Sequence, residues 1–171
     1  MKNQKTYKLW YDKPAPNRGR ESDQPKANDP DWEEWSLPIA GGHFGVNIFG
    51  RTDTERMQIT EASLTRPYPW GVNNFAEVYM DFGHAEAEVS NYYRDLLLNN
   101  ATAHVKYCYR GITYEREYLT SYPDGILAVK LTASEKGALS FTLRMEIPYL
   151  RPFGEVDGIF LGKSGSVSAR C

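Results

Sequence analysis

Residues 101–120 read ATAHVKYCYRGITYEREYLT, and their alternation decides the fold. Two runs of period two flank Arg110-Gly111. With that dipeptide as the turn, Tyr109 faces Ile112 and Tyr107 faces Tyr114 on one side of a hairpin. Lys106 then faces Glu115, and His104 faces Glu117, on the other. Opposite charges fall in register, each pair contributing roughly 0.2–1 kcal/mol. Aromatic and aliphatic pairs on one face with polar pairs on the other is the pattern of a half-buried sheet. Arg116, opposite Val105, breaks the apolar face, which predicts a wet end there.

The same signals extend along the chain. Glu77 to Phe82 alternates, with Val78, Met80 and Phe82 on one side. Val46 to Phe49 and Met57 to Ile59 are apolar runs around the charged loop Arg51 to Arg56. Val89 to Leu98 reads as a strand ending at Asn99-Asn100, with a short helix as the alternative. Pro123-Asp-Gly125 and Ser134 to Gly137 are turns by their chemistry. Between and after them Ile126–Ala133 and Leu139–Ile147 read as strands. Turn signals recur about every eight to twelve residues, which predicts an all-β fold, a large antiparallel, supersandwich-like β-sandwich with little or no helix. The expected division is a sandwich over 1–150 and a trailing segment, 151–171, with room for one further strand.

The chain has 171 residues, enough for one domain with a real core. Its net charge is −2 with 25% charged residues, which argues against nucleic-acid binding and against a basic membrane patch. No apolar stretch approaches the ~20 residues of a membrane-spanning helix. The first residues lack the apolar run of a signal peptide. The expectation is a periplasmic or secreted location if an export signal was removed, and a cytoplasmic one otherwise. Two cysteines, Cys108 and Cys171, do not make a disulfide framework. Three scattered histidines show no metal-ligand spacing, so neither metal nor cofactor is expected. Twelve tyrosines and four tryptophans suit β-structure and also suit sugar-binding surfaces.

Trp35 to Gly50, WSLPIAGGHFGVNIFG, holds the most unusual local chemistry. Three glycines bracket His43. Such a backbone can turn sharply and present the imidazole at a strand end. Lys13 to Asp31 is a polar connection, long for a compact domain. Trp32 and Trp35 read as a core anchor. Arg66-Pro-Tyr-Pro-Trp-Gly71 is too rich in proline for a regular element, and it presents Trp70. No nucleophile elbow, zinc-protease motif or phosphate-binding loop is present.

Several motifs together resemble a known family. They are Leu9-Trp-Tyr-Asp12 with Pro14-Ala15, Leu37-Pro-Ile-Ala-Gly-Gly-His-Phe-Gly45 and Glu55-Arg-Met-Gln-Ile-Thr-Glu61. Tyr79-Met-Asp-Phe82, Asn91-Tyr-Tyr-Arg-Asp-Leu96 and Tyr114-Glu-Arg-Glu-Tyr-Leu-Thr-Ser-Tyr-Pro123 follow in order. They resemble the start of glycoside hydrolase family 95, mainly α-L-fucosidases with some α-L-galactosidases. The resemblance implies an N-terminal β-sandwich whose partner is a catalytic (α/α)₆ barrel carrying the acid and the water-activating groups. It implies no catalytic residue in this stretch, and a fucosylated or related oligosaccharide as ligand of the assembled pocket. His43 and Glu61 sit at positions that line the pocket rim in the family. With Trp70 they are the candidates for substrate contact or domain docking. Ala40-Gly41-Gly42 stands where the family has Gly-Asn-Gly. Thr60 and Thr65 stand where it has Asn and Trp. The competing expectation is a free-standing carbohydrate-binding module.

Overall fold

The computed structural model describes residues 5–18, 29–66, 71–146 and 165–170. The elements are β1 (Lys8–Tyr11), α1 (Pro30–Trp35), β2 (Leu37–Gly41), β3 (Phe44–Ile48), β4 (Thr54–Arg66), β5 (Gly71–Asp81), a 3₁₀ turn (Glu86–Glu88), β6 (Val89–Leu97), β7 (Thr102–Tyr109), β8 (Ile112–Ser121), β9 (Ile126–Ala133), β10 (Ser140–Glu146) and β11 (Gly165–Arg170). They form two antiparallel sheets stacked as a sandwich, ordered β1-β6-β7-β8-β9 and β11-β10-β5-β4-β3-β2. β2, at the edge of the six-stranded sheet, closes against β6, β7 and β8 of the other. β11 pairs antiparallel with β10, Phe141 opposite Ala169.

The β7–β8 hairpin has the expected register, from Tyr109 opposite Ile112 through His104 opposite Glu117. Arg110 and Gly111 both have positive φ, 49° and 84°. That pair of conformations is the turn whose twist matches two right-twisted strands. Val89–Leu97 is strand rather than helix, and it bulges. Asn91 adopts φ 52°, and the register slips between Ser90 and Tyr93. The extra residue re-aims the strand, so that Arg94 pairs opposite Val105 on the inner face while Tyr93 and Asp95 point outward. A second slip, between Ile59 and Thr60, separates the paired halves of β4 and β5.

The core gathers Leu37, Ile39, Val46, Ile48, Met57, Met80, Leu96, Ala103, Val105 and four tyrosines, 107, 109, 114 and 118. Buried hydroxyls need partners. Tyr118 donates to Glu55 at 3.2 Å, and Tyr92 to the Gly50 carbonyl at 2.5 Å. Tyr107 shares a 2.9 Å hydrogen bond with His84 Nδ1. His84 stacks on Tyr109 at 4.3 Å between centroids and leans on Tyr114 at 4.4 Å.

Burial, reinforced by the Arg116 and Arg110 charges, holds the His84 pKa below its ordinary 6.5. A group whose pKa is depressed by folding contributes stability that is present above the unfolded value and lost as pH falls through the folded one. The expected result is constant stability above pH ~6.5 and a decline on acidification below it. His84→Phe should flatten that part of the curve, as read from urea midpoints between pH 7 and pH 5. An unchanged slope in the variant would assign the decline to other groups.

Three expectations change at this level. The predicted wet end at Arg116 is dry: its side chain is 2% exposed and meets Glu55, a residue read from sequence as part of a charged loop. Trp32 and Trp35 do not form a core anchor but lie on α1, with Trp32 42% exposed and Trp35 half-buried. The helix itself falls at the end of the connection read as irregular. Asp29 caps it by accepting from the Trp32 N–H at 3.2 Å, and Pro30 takes the first turn. The same two acidic residues that start the helix fasten it down. Asp29 reaches Arg56 at 2.6 Å and Asp31 reaches Arg51 at 2.9 Å, all four being buried.

Candidate functional site

The β2–β3 hairpin turns through Gly42 and His43 at one end of the sandwich. Gly42 has φ +69°, and a Cβ there would lie 1.9 Å from Cδ2 of Tyr122. Only glycine lets the turn sit flat on that ring. Gly41 approaches Thr120 less tightly, a Cβ falling 3.0 Å from the threonine Cβ. These two approaches bring the end of the six-stranded sheet onto the β8–β9 turn of the other.

His43 is exposed. Its carbonyl accepts from the Ala62 N–H at 2.7 Å, which pins the backbone to β4. Its ring leans on Tyr122, centroids 6.2 Å apart at 38°. Tyr122 is itself 64% exposed, so the two rings form an accessible pair with a polar edge. Glu61 belongs to the same end. It stands opposite Phe44 in the β3–β4 ladder, one residue from His43. Its Oε2 accepts from the Ser63 N–H at 3.0 Å and from the Ser63 hydroxyl. On the neighbouring turn Ser121 donates to Asp124 at 2.5 Å.

His43 and Glu61, two of the three residues singled out from sequence, thus lie at the same end of the sandwich. The third, Trp70, lies outside the described residues. β4 runs on past Glu61 to Arg66 and pairs there with Gly71, so the β4–β5 hairpin projects from this same end. Tyr122 is the member that sequence reasoning did not single out. Pro123-Asp-Gly125 marks its turn, but nothing local says which turn of the opposite sheet it meets. Chemically the end offers an imidazole, a carboxylate, hydroxyls and an aromatic face, a set suited to hydrogen-bonding and stacking on a polyhydroxylated ring. No group of three or more His, Cys, Asp or Glu side chains is gathered for a metal ion among the described residues. No helix among them is long and apolar enough to cross a membrane.

Residues 65–154 match the family described as glycosyl hydrolase family 65, N-terminal domain, and the chain belongs to that family. Its motifs resemble family 95, so the family number differs while the N-terminal glycoside hydrolase domain is common to both. Among curated proteins it is similar to Alpha-L-fucosidase 2 of Arabidopsis thaliana. The two are 24% identical over 152 residues, covering 65% of this chain and 18% of the relative. The chain thus spans less than a fifth of that relative's length.

Proposed function

We propose that this chain is the N-terminal scaffold of an α-L-fucosidase-like glycoside hydrolase. It packs on a catalytic (α/α)₆ barrel, and its hairpin end completes the rim of the substrate pocket. The observation that carries this reading is His43: its backbone is pinned to β4 while its ring stays exposed beside Tyr122. A fixed backbone with a free imidazole is what positioning a sugar hydroxyl requires. The neutral ring donates from one nitrogen and accepts at the other. Glu61, held by Ser63, is the adjacent acceptor. The similarity to a fucosidase supports the choice of substrate class. The chemistry itself is assigned to the barrel, so these 171 residues alone should not hydrolyse an aryl α-L-fucoside.

The test is His43→Phe in the complete enzyme. Phenylalanine keeps bulk and ring contact but leaves a hydroxyl unpaired in the closed pocket. Such a loss costs about 1–3 kcal/mol. In kcat/KM that is roughly fivefold to more than a hundredfold. The Tm of the sandwich should stay put, because the ring is exposed and the Ala62 contact uses the backbone. Unchanged kcat/KM would remove His43 from the pocket, and measurable fucosidase turnover by the isolated chain would sink the assignment of chemistry to the barrel.

A further inference from the structure

The outer face of the five-stranded sheet, remote in sequence from the hairpin end, carries a second organised surface. The ladder places Trp10 opposite Asp95, Asp95 opposite His104, His104 opposite Glu117 and Glu117 opposite Lys130. Directly paired residues share a face, so these five form one row across all five strands. A parallel row holds Tyr93, Lys106, Glu115 and Thr132. Between the rows lies a concavity of about 250 Å³, lined among others by Tyr93, Asp95, His104, Lys106, Glu115 and Glu117.

We propose that this concavity is a carbohydrate subsite, taking one neutral sugar ring on the polar floor while the next ring of the chain stacks on Trp10. The volume lies below the roughly 300–1,000 Å³ of a pocket for a drug-sized ligand, which suits one ring and an open exit. At the rim Trp10 is 56% exposed and stacks on Tyr93, with ring centroids 6.3 Å apart at 18°. A flat aromatic surface of this kind has an apolar body that matches the C–H face of a pyranose.

The floor is prepared rather than merely charged. Asp95 is 6% exposed, and both its oxygens are engaged, one by the Tyr93 hydroxyl at 2.8 Å and one by His104 Nδ1 at 2.7 Å. Lys8 donates to the Tyr93 oxygen at 2.8 Å. With Nδ1 turned to Asp95, the other ring nitrogen, Nε2, faces the concavity and can serve a ligand hydroxyl as donor or acceptor. The nearest carboxylate oxygen, on Glu117, is 3.9 Å from Nε2, beyond hydrogen-bond length. Lys130 stands 4.0 Å from that same carboxylate, also unclosed. So Nε2, Glu117 and Lys130 hold bonding capacity above the row anchored by Asp95, while Lys106 and Glu115 close on each other at 2.5 Å. The carboxylates of Asp95, Glu115 and Glu117 face the ammonium groups of Lys8, Lys106 and Lys130, a balance that favours an uncharged ligand over an anion. Sugar hydroxyls, which both donate and accept, satisfy such a mixed floor.

The inference rests on the reading of this chain as a glycoside hydrolase domain only for the choice of sugar over other polyols. Isothermal titration of the 171-residue chain with cellohexaose, xylohexaose and 2′-fucosyllactose, and with hexagalacturonic acid as the anionic counterpart, tests it. At least one neutral probe should bind with a Kd of about 1 mM or tighter. Trp10→Ala and His104→Phe should each weaken it roughly tenfold or more. Lys136→Ala, on the exposed β9–β10 turn, should leave it unchanged; Trp10→Ala and Lys136→Ala should keep the wild-type Tm, whereas His104→Phe takes a partner from buried Asp95 and should lower it while leaving the far-ultraviolet circular dichroism of the folded sandwich unchanged. Absence of binding by every neutral probe would overturn the proposal, as would tighter binding of hexagalacturonic acid or wild-type affinity in both Trp10→Ala and His104→Phe. Loss of binding in His43→Phe but not in Trp10→Ala would overturn it while leaving the pocket-rim reading standing.

Discussion

Replacing Glu55 by Gln should destabilise the domain by about 3–5 kcal/mol, the usual cost of leaving one member of a buried ion pair alone. Glu55 is fully buried between the sheets. Its Oε1 accepts from the N–H groups of Phe49 at 3.2 Å, Gly50 at 2.8 Å and Arg56 at 3.1 Å, which shapes the β3–β4 turn. Its Oε2 accepts from Tyr118 and lies 2.7 Å from Arg116 Nη1, close but off the hydrogen-bond line. Burial beside that carboxylate pushes the Tyr118 hydroxyl pKa well up, so it remains a donor. Glutamine keeps the shape and the Oε1 acceptor but removes the charge. Arg116 would then sit, 3% exposed, with no carboxylate against it. Against a total stability of about 5–15 kcal/mol the loss is severe, and the urea midpoint should fall accordingly. Arg116→Met combined with Glu55→Gln should recover part of it, because the stranded charge is gone. A single variant losing under about 1 kcal/mol, or a double variant as unstable as the sum of its parts, would show that the pair is not coupled.

That pair also shows where sequence reading stops. The β7–β8 hairpin was legible residue by residue, since alternation and a two-residue turn are local properties. Arg116 sits on the inner face of that hairpin, and its position opposite Val105 was correctly read. Its environment was not, because the partner comes from the other sheet, 61 residues earlier in the chain. Glu55 in turn looked like loop charge, since Arg51 to Arg56 contains little else. The helix was signalled by Asp29, Pro30 and the acidic first turn, yet those residues also suit an irregular connection. What fixes the choice is the buried pairing of Asp29 with Arg56 and Asp31 with Arg51. The candidate site divides the same way. The glycines around His43 were visible, and Glu61 came with the family motif. Tyr122 was not, because only the stacking of the two sheets brings it beneath Gly42. The Trp10 row was hidden because β1 pairs with β6 in the same sheet, some 85 residues away in sequence.

Arg94→Met should be as damaging, by about 3–5 kcal/mol, though no salt bridge is lost. Arg94 has no exposed surface and is held by main-chain oxygens instead of a carboxylate. Its Nε donates to Lys13 O at 3.0 Å, and its Nη1 to Trp35 O at 2.6 Å and Phe49 O at 3.2 Å. The guanidinium plane also covers the Tyr11 ring at 4.3 Å. One side chain thus ties together the chain after β1, the end of α1 and the end of β3. Burial lowers its pKa, but a guanidinium starts so far above neutral pH that the group stays charged. Methionine fills the space and spares the desolvation of a charge, yet strands the acceptors. Phe49 O keeps the Ala15 N–H at 3.0 Å. Lys13 O and Trp35 O, part-buried beneath the guanidinium, lose it, at about 1–3 kcal/mol for each acceptor left without a partner. Lysine at this position should rescue little, since a point ammonium on a flexible stem cannot span three carbonyls in a planar fork. Urea unfolding gives the magnitude. Near-ultraviolet circular dichroism reports the local change, because the Trp35 ring leans on Tyr11 at 43°, with centroids 5.9 Å apart, and both depend on the clamp. A variant with a wild-type midpoint would show that β1 and α1 stay docked without it. Full rescue by Arg94→Lys would show that charge alone, rather than the three-way fork, holds the segments together.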